Sequence, residues 1–374
     1  MKLIKIAHII TGLNVGGAEM MLLNMLKLYN GKKYAPLVIS LTGPGVLLNE
    51  IKTMNVSVEC FDFKKNNVVM EFIKLIYFLR FQKVEVIQTW LYHADFFGGI
   101  AGKLLGMPVV WGIHNSYLDK KGKKTTGWIR RLNAYMSAYI PKKMVSCSGF
   151  AADLHRGLGY KDVFTIIPNG FDVKKYYPDK DKRMAFRYKY NLENTIVLGF
   201  VARYDPLKDF ENFISALGIV IAQCNCIKIV MCGRNVNCAN ENIMHLIKNK
   251  DLGDHIILLG ERNDIDVIMN GIDFFVLSSK SEAFPMVLGE AMACGTPCIT
   301  TDVGDAKDII GETGVCVPKK DPMLLAQGIL AAIHWESKLY EEKSYMARKR
   351  IVEYYSLDKV VNRYFDVYDE VMKK

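Results

Sequence analysis

Short apolar runs alternate with longer stretches in which apolar residues recur every three or four positions, and this alternation organises almost the whole chain. Runs at residues 3–10, 36–41, 56–61, 84–88, 108–113, 143–147 and 163–167 predict seven strands, with segments of helical period between them. The stretch PNGFDVKKYYPDKDK, residues 168–182, then mixes Pro, Gly, Asn and charge and predicts an exposed linker. A second series resumes at 195–202, 227–231, 255–258, 273–277, 296–300 and 315–317, and the last fifty residues read as helical. Strands alternating with helices pair in parallel beneath two helical layers, so two doubly wound α/β sheets are expected. Ligands of such sheets sit beyond the carboxyl ends of the strands, and the loops there carry the candidate chemistry.

The length of 374 residues suits two such domains better than one core, and a composition half apolar and one quarter charged is that of a globular chain. No apolar stretch reaches the roughly 18 residues that span a bilayer; residues 72–81 come nearest and are broken by Lys74 and Arg80. The opening MKLIKIAHIITGL has Lys2 and Lys5 ahead of an apolar run, but His8 interrupts it and a Gly-rich turn follows, so it reads as a first buried strand rather than a signal peptide. Nine cysteines, an odd number scattered through strands and helices, suit a reduced, cytoplasmic setting. Cys224, Cys226, Cys232 and Cys238 do not have zinc-site spacing.

Charge changes the picture, because it is lopsided. Up to Gly170 there are 22 Lys and Arg against 10 Asp and Glu, and beyond it 27 against 29. A one-sided field points to an anionic partner: phospholipid, nucleic acid or a phosphorylated acceptor.

Four segments could carry chemistry. TGLNVGGAE places Gly16 and Gly17 between the first strand and a helix starting near Ala18, where bare backbone and helix NH groups could approach an anion. The spacing is not that of a dinucleotide site, and a simple tight turn is the other reading. GFVARYDPLKDF ends a strand at Arg203 with Lys208 five positions on, a pair suited to a diphosphate or simply solvated. In SSKSEAFPMVLGEAMACGTP, Glu282 and Glu290 flank Pro285, expected as the first helical residue, so the NH groups of Met286 and Val287 would face a bound anion. Glu282 could otherwise cap the helix, and Glu290, in an apolar helix, needs either ligand hydroxyls or an internal ion pair. WGIHNS ends a strand at His114, more often a structural position than a catalytic one.

Taken in order, the GGAE loop, His114, IPNG at residues 167–170, Arg203 with Lys208, and the Glu-x7-Glu segment running into EAMACGTP resemble glycosyltransferase family 4. Those are retaining enzymes of the GT-B fold, two Rossmann-like βαβ domains facing a central cleft. The resemblance covers nearly the whole chain and implies an acceptor-side domain over 1–168, a donor-binding domain over 169–356, and a last helix, 357–374, crossing back onto the first domain.

It also implies roles. Arg203 and Lys208 would neutralise the donor diphosphate, Glu290 would hold ribose hydroxyls, and Glu282 would bind the transferred sugar or sit near its anomeric face. His114 would touch that sugar, while Gly16 and Gly17 would approach the phosphates and admit the acceptor. The implied reaction is retaining, metal-independent transfer of a hexose or N-acetylhexosamine, without a cofactor, from a nucleotide sugar, UDP being the family's common carrier. The acceptor would be a glycan or a polyprenyl-pyrophosphate-linked saccharide, as in surface polysaccharide synthesis. Two Asp-x-Asp triplets could be mistaken for metal ligands: Asp264 with Asp266 reads as a helix cap and Asp179 with Asp181 as linker. The chain departs from the family at Ala283 and Pro285, where glycines are common. Lys120, Lys121, Lys123, Lys124, Arg130 and Arg131 are expected to meet anionic lipid or the acceptor, which would make the protein peripheral at the inner face of the cell membrane, a solvated face being the other reading. Two other readings compete: a nucleotide-sugar epimerase of similar layout, and a nucleic-acid-binding protein. Charge alone supports the second, with no recognition motif, so nucleic acid is not expected as a partner.

Overall fold

A computed structural model of the chain describes residues 3–29, 33–115 and 124–373. All thirteen expected strands form, each within two residues of its expected ends. They divide between two compact units, residues 1–170 with 357–374, and residues 171–356.

The first unit holds β1 (Ile4–Ile10), β2 (Tyr34–Ser40), β3 (Ser57–Cys60), β4 (Val86–Trp90), β5 (Val109–Ile113), β6 (Lys143–Ser146) and β7 (Phe164–Ile166). They form one sheet in the order β3-β2-β1-β4-β5-β6-β7, parallel throughout. β1 and β4 are buried almost end to end, which is why they read as continuous apolar runs instead of alternating ones. Separate apolar clusters cover the two faces of the sheet. One includes the carboxyl-terminal helix Leu357–Met372, which buries Val360, Val361, Tyr364, Val367, Tyr368 and Val371, a three-and-four spacing that makes one stripe.

The second unit holds β8 (Ile196–Val201), β9 (Ile227–Cys232), β10 (Ile256–Leu258), β11 (Phe274–Leu277), β12 (Cys298–Thr301) and β13 (Val315–Val317). Their order is β10-β9-β8-β11-β12-β13, again parallel throughout. In both sheets the strand order reverses once, between β1 and β4 and between β8 and β11. At such a reversal the loops leave their strands in opposite directions and open a crevice at the carboxyl ends.

The segment expected as an exposed linker is a correction. Asn169, Phe171 and Tyr176 are buried, Phe171 pairs as a short parallel bridge with Ser356, and a helix starts at Lys180. The reason lies in its aromatics. The Phe171 ring fills the space left by Gly289, where a Cβ would sit 2.0 Å from Phe171 Cζ. Pro and charge indicated a break in secondary structure correctly, but Phe171 and Tyr176, two of the three aromatic residues in that stretch, are sheltered from water.

Candidate active site

The reversal point of the second sheet gathers three of the expected residues. β8 ends at Val201, and the chain passes Arg203 into a single 3-10 turn, Pro206–Lys208, whose amino end is capped by Asp205 accepting from Leu207 N at 2.9 Å. Asp205 also takes a hydrogen bond from Arg203 Nε at 3.2 Å, leaving the guanidinium half exposed. Gly233, at the end of β9, has φ of +145°, and a Cβ there would lie 2.0 Å from the Ala202 carbonyl oxygen, so only glycine lets the β9 loop press against the start of this turn.

The loop after β11 meets the same turn. Ser278 donates to the Lys208 carbonyl at 2.9 Å, Lys280 N donates to the Leu207 carbonyl at 2.7 Å, and Thr301 of β12 donates to the Ser279 carbonyl at 2.8 Å. Held this way, Lys208 Nζ sits 2.5 Å from Glu282 Oε1, and Ser279 Oγ donates to the same oxygen at 2.6 Å. Both side chains of that ion pair are largely buried. Beside it, Lys280 pairs with Asp209 at 2.7 Å, where Asp209 adopts the left-handed conformation (φ +53°) and begins the helix Phe210–Gln223.

The next helix, Met286–Ala293, corrects one expectation. Pro285 is the residue before the helix, extended at φ −71° and ψ 99°, and Met286 is the first helical residue. Met286 and Val287 still occupy the first turn, and no side chain caps that end. Their NH groups are among those an α-helix leaves without an internal partner. Glu282 does not cap this helix either, since its carboxylate is engaged by Lys208 and Ser279.

Glu290 is the fifth residue of that helix and half-buried. Burial pushes its carboxyl up to about 7, against which the nearby Lys175 charge and a hydrogen bond from the Tyr176 hydroxyl work only in part. Tyr176 was not anticipated as its neighbour. It comes from the misread linker, and no local pattern places residue 176 beside residue 290.

His114 follows β5 in the first unit, and its ring stacks on Trp90, centroids 5.0 Å apart and planes 22° apart. Trp90 stacks in turn on Tyr364 of the carboxyl-terminal helix at 5.9 Å and donates Nε1–H to His8 Nδ1 at 3.2 Å. Burial lowers the His114 imidazole to about 4, which keeps it neutral near pH 7. Among the described residues neither of its ring nitrogens has a hydrogen-bond partner, although both are shielded from solvent.

Gly16 precedes the helix Gly17–Lys27, one residue earlier than the expected start. Gly16 has an ordinary extended backbone, and a Cβ at Gly17 would touch nothing within 4 Å, so packing inside the chain does not demand glycine at Gly17.

The two Asp-x-Asp triplets exchange their expected parts. Asp179 caps the helix Lys180–Lys189, accepting from the NH groups of Asp181 and Lys182 at 3.0 Å, whereas Asp264 turns its carboxylate to Arg262 and leaves its own helix uncapped. Among the described residues no group of three or more His, Cys, Asp and Glu is placed to hold a metal ion. All nine cysteines are free thiols, with Cys224 and Cys226 Sγ atoms 3.3 Å apart. Of the expected basic surface, Lys120, Lys121 and Lys123 lie outside the described residues. Lys124 and Arg131 are exposed on the helix Lys124–Met136, and Arg130 is half-buried, its carbonyl accepting from the Tyr160 hydroxyl at 3.1 Å. Among the described residues no helix is long and apolar enough to cross a membrane.

Two family descriptions match the chain: "Glycosyltransferase Family 4" over residues 15–175 and "Glycosyl transferases group 1" over residues 182–350. The chain is 24% identical over 386 aligned positions to the Escherichia coli UDP-Gal:alpha-D-GlcNAc-diphosphoundecaprenol alpha-1,3-galactosyltransferase, covering 99% of this chain and 98% of that protein. It is 25% identical over 215 positions to the N-acetyl-alpha-D-glucosaminyl L-malate synthase of Bacillus anthracis, a match that spans 57% of this chain and 55% of that protein. Among solved structures, Anabaena Alr3699/HepE in complex with UDP superposes with a TM-score of 0.87 at 19% identity, over 98% of this chain and 100% of that one. With two matched halves in this order, on two parallel doubly wound sheets, the chain belongs to glycosyltransferase family 4 and has the GT-B fold.

Proposed function

We propose that this glycosyltransferase moves a hexose or N-acetylhexosamine from a UDP-sugar, with retention and without a metal, to a glycan or polyprenyl-pyrophosphate-linked saccharide in surface polysaccharide synthesis. The observation that carries this reading is the Lys208–Glu282 ion pair, with Arg203 held by Asp205 on the same loop after β8 and an uncapped helix amino end following Glu282 on the loop after β11, at the reversal of the second sheet. That is the arrangement a pyrophosphate requires: cations and oriented NH groups held in place by a partly buried network. The relatives support the substrate class. The E. coli enzyme's name specifies UDP-galactose and a diphosphoundecaprenol-linked acceptor, and Alr3699/HepE has also been solved with UDP-glucose.

In the proposed reaction, the bond from the anomeric carbon to the diphosphate oxygen breaks and leaves the electron pair on the diphosphate. An acceptor hydroxyl oxygen bonds to the same face of that carbon and passes its proton to the departing diphosphate oxygen. Positive charge grows on the sugar ring and negative charge on the leaving group. Fixed cations aimed at the diphosphate therefore stabilise the transition state more than the bound substrate. Arg203 and Lys208 take this role, Met286 and Val287 add NH donors, and Glu290 binds the ribose hydroxyls. Glu282 sits at the sugar, and it also holds Lys208 at the site of the leaving group. His114 is assigned to the transferred sugar, which its two unpartnered nitrogens can hydrogen-bond while the ring stays neutral. Gly16 and Gly17 are assigned to the phosphates and acceptor, a role consistent with the open space at Gly17. We assign the lysines and arginines over residues 120–131 to anionic lipid or the acceptor.

The test is incubation with radiolabelled UDP-glucose, UDP-galactose and UDP-N-acetylhexosamines, with and without a bacterial lipid extract, in the presence of a chelator. Label should move to the lipid fraction from one donor, and NMR of the product should show the donor's anomeric configuration. An inverted product overturns retention, and transfer that stops with the chelator overturns metal independence. Failure of every donor both to react and to raise the melting temperature overturns the donor class.

A further inference from the structure

The helix Val68–Phe81 of the first unit is built inside out for a protein facing only water. Its inner side buries Leu75 and Leu79 completely, so its register on the sheet is set. Its outer side nevertheless presents Val69, Met70, Ile73, Tyr77 and Phe81 to solvent, with Tyr77 71% and Phe81 83% exposed. Spacings of three and four residues put these side chains in one stripe. The stripe is not a frayed end, because Asn67 caps the helix by accepting from the NH groups of Val69 and Met70.

Basic residues outnumber acidic ones around the stripe, and the flanking carboxylates Asp62 and Glu85 are turned to backbone NH groups, Asp62 to those of Lys64 and Lys65 and Glu85 to that of Lys5. Lys64 and Lys65 precede the helix, Lys74 and Arg80 lie on it, and Lys83 follows it. Its one carboxylate, Glu71, is buried and bound by Lys74 Nζ at 2.8 Å, Asn66 Nδ2 at 3.3 Å and the NH of Asp62 at 3.2 Å. The neighbouring helix Tyr92–Leu104 packs on one side against Val68–Phe81 and on another against Lys124–Met136. That third helix repeats the pattern, with Trp128, Leu132 and Tyr135 exposed at intervals of four and three and Arg131 among them.

We propose that this helical layer of the first unit docks on an anionic phospholipid surface, with Val68–Phe81 lying along the headgroups and Tyr77 and Phe81 entering the acyl boundary. An amphipathic helix with an aromatic-aliphatic face and flanking Lys and Arg is the interfacial pattern, each cation adding about 1 kcal/mol near an anionic surface. A second copy of the same face fits poorly, since a two-fold contact would set like charges against one another. Protein interfaces are also depleted in lysine, which is abundant here. The proposal does not depend on the transfer chemistry, and it places the anchoring element about fifty residues before the basic segment at 120–131.

The test uses the whole protein and sedimentation with vesicles of phosphatidylcholine alone or mixed equally with phosphatidylglycerol. Wild type should partition onto the mixed vesicles only, and added salt should weaken it. The double variant Tyr77→Ser, Phe81→Ser should bind those vesicles about tenfold or more weakly, the effect of withdrawing two aromatic side chains from an apolar boundary. Arg80→Glu with Lys83→Glu should weaken it further in the same assay. Because both aromatic side chains are exposed, the double variant should keep its circular dichroism melt and its melting shift with UDP-glucose, which separates loss of docking from loss of fold or donor site. Undiminished vesicle binding by the double variant overturns the proposal, as does wild type that binds neither vesicle. A concentration-dependent oligomer that the double variant abolishes would assign the face to a second copy instead.

Discussion

Glu290 and Lys208 make opposite demands on the solvent around them. Glu290 is held near 7 by burial, well above the 4.5 of a free carboxyl, so the folded state prefers it protonated. A carboxyl raised on folding binds its proton more tightly in the native than in the unfolded chain, so its ionisation costs stability progressively as pH climbs from about 4.5 to about 7. Glu290→Gln should therefore melt higher than wild type above pH 7, and that advantage should shrink toward zero below pH 4.5. If ribose hydroxyls bind its ionised form, wild-type donor affinity should rise as pH passes through 7 and the Gln variant's should stay flat, as titration calorimetry across that range would show. At Lys208 the expected loss is electrostatic. Lys208→Ala should weaken UDP binding by about ten- to a hundredfold, the scale of one charge-assisted contact, as well as leaving Glu282 with Ser279 as its remaining partner. Circular dichroism checks that the fold survives, and calorimetry with UDP reads the affinity.

At the scale of elements, the carboxyl-terminal helix Leu357–Met372 is the most exposed to test. Tyr364 is fully buried against Trp90, yet its hydroxyl has no hydrogen-bond partner among the described residues. A buried, unsatisfied hydroxyl costs desolvation without return, so Tyr364→Phe should leave stability unchanged or raise it. Tyr364→Ala should cost about 3–5 kcal/mol through lost burial and the cavity left behind, read as a lower midpoint in urea unfolding. The same ring stack ends on His114, so the Ala variant should also lower transfer rate more than Phe does. Strand existence was legible because the central strands β1, β4, β5, β8 and β11 are parallel and buried and write themselves as apolar runs, while the half-exposed edge strands β3, β7, β10 and β13 were carried by their alternation with segments of helical period. Element ends were less legible. Pro285 illustrates this: proline is equally comfortable just before a helix or as its first residue, and the neighbouring loops choose.

For the whole molecule, the comparison is between what reads along the chain and what only packing supplies. Periodicity carried the count of strands and their division into two series, since burying parallel strands under helices dictates both spacing and polarity. Motif order carried the family, and the two family matches cover 15–175 and 182–350. The resemblance, more than local chemistry, singled out Arg203 and Lys208, and the reversal of strand order puts the loop that carries them at the carboxyl ends of the second sheet. Binding of UDP should accordingly raise the melting temperature of wild type and leave a variant lacking both cations unmoved, which differential scanning calorimetry would register. Three features lay outside the reach of the sequence. Lys208 and Glu282 are 74 positions apart and become an ion pair only through the hydrogen bonds of Ser278, Lys280 and Thr301. Tyr176 reaches Glu290 from a stretch that local composition reads as solvent-exposed, because burial belongs to the partner surface as much as to the residue. The aromatic stripe on Val68–Phe81 is apolar on the inside and outside alike, so its letters suggest a buried helix, and only the sheet beneath it shows which side stays uncovered. Periodicity thus determined the strands, and the order of motifs the family. Pairings between distant residues, and which apolar face meets water, were decided by tertiary packing, since both depend on surfaces that no single stretch of chain contains.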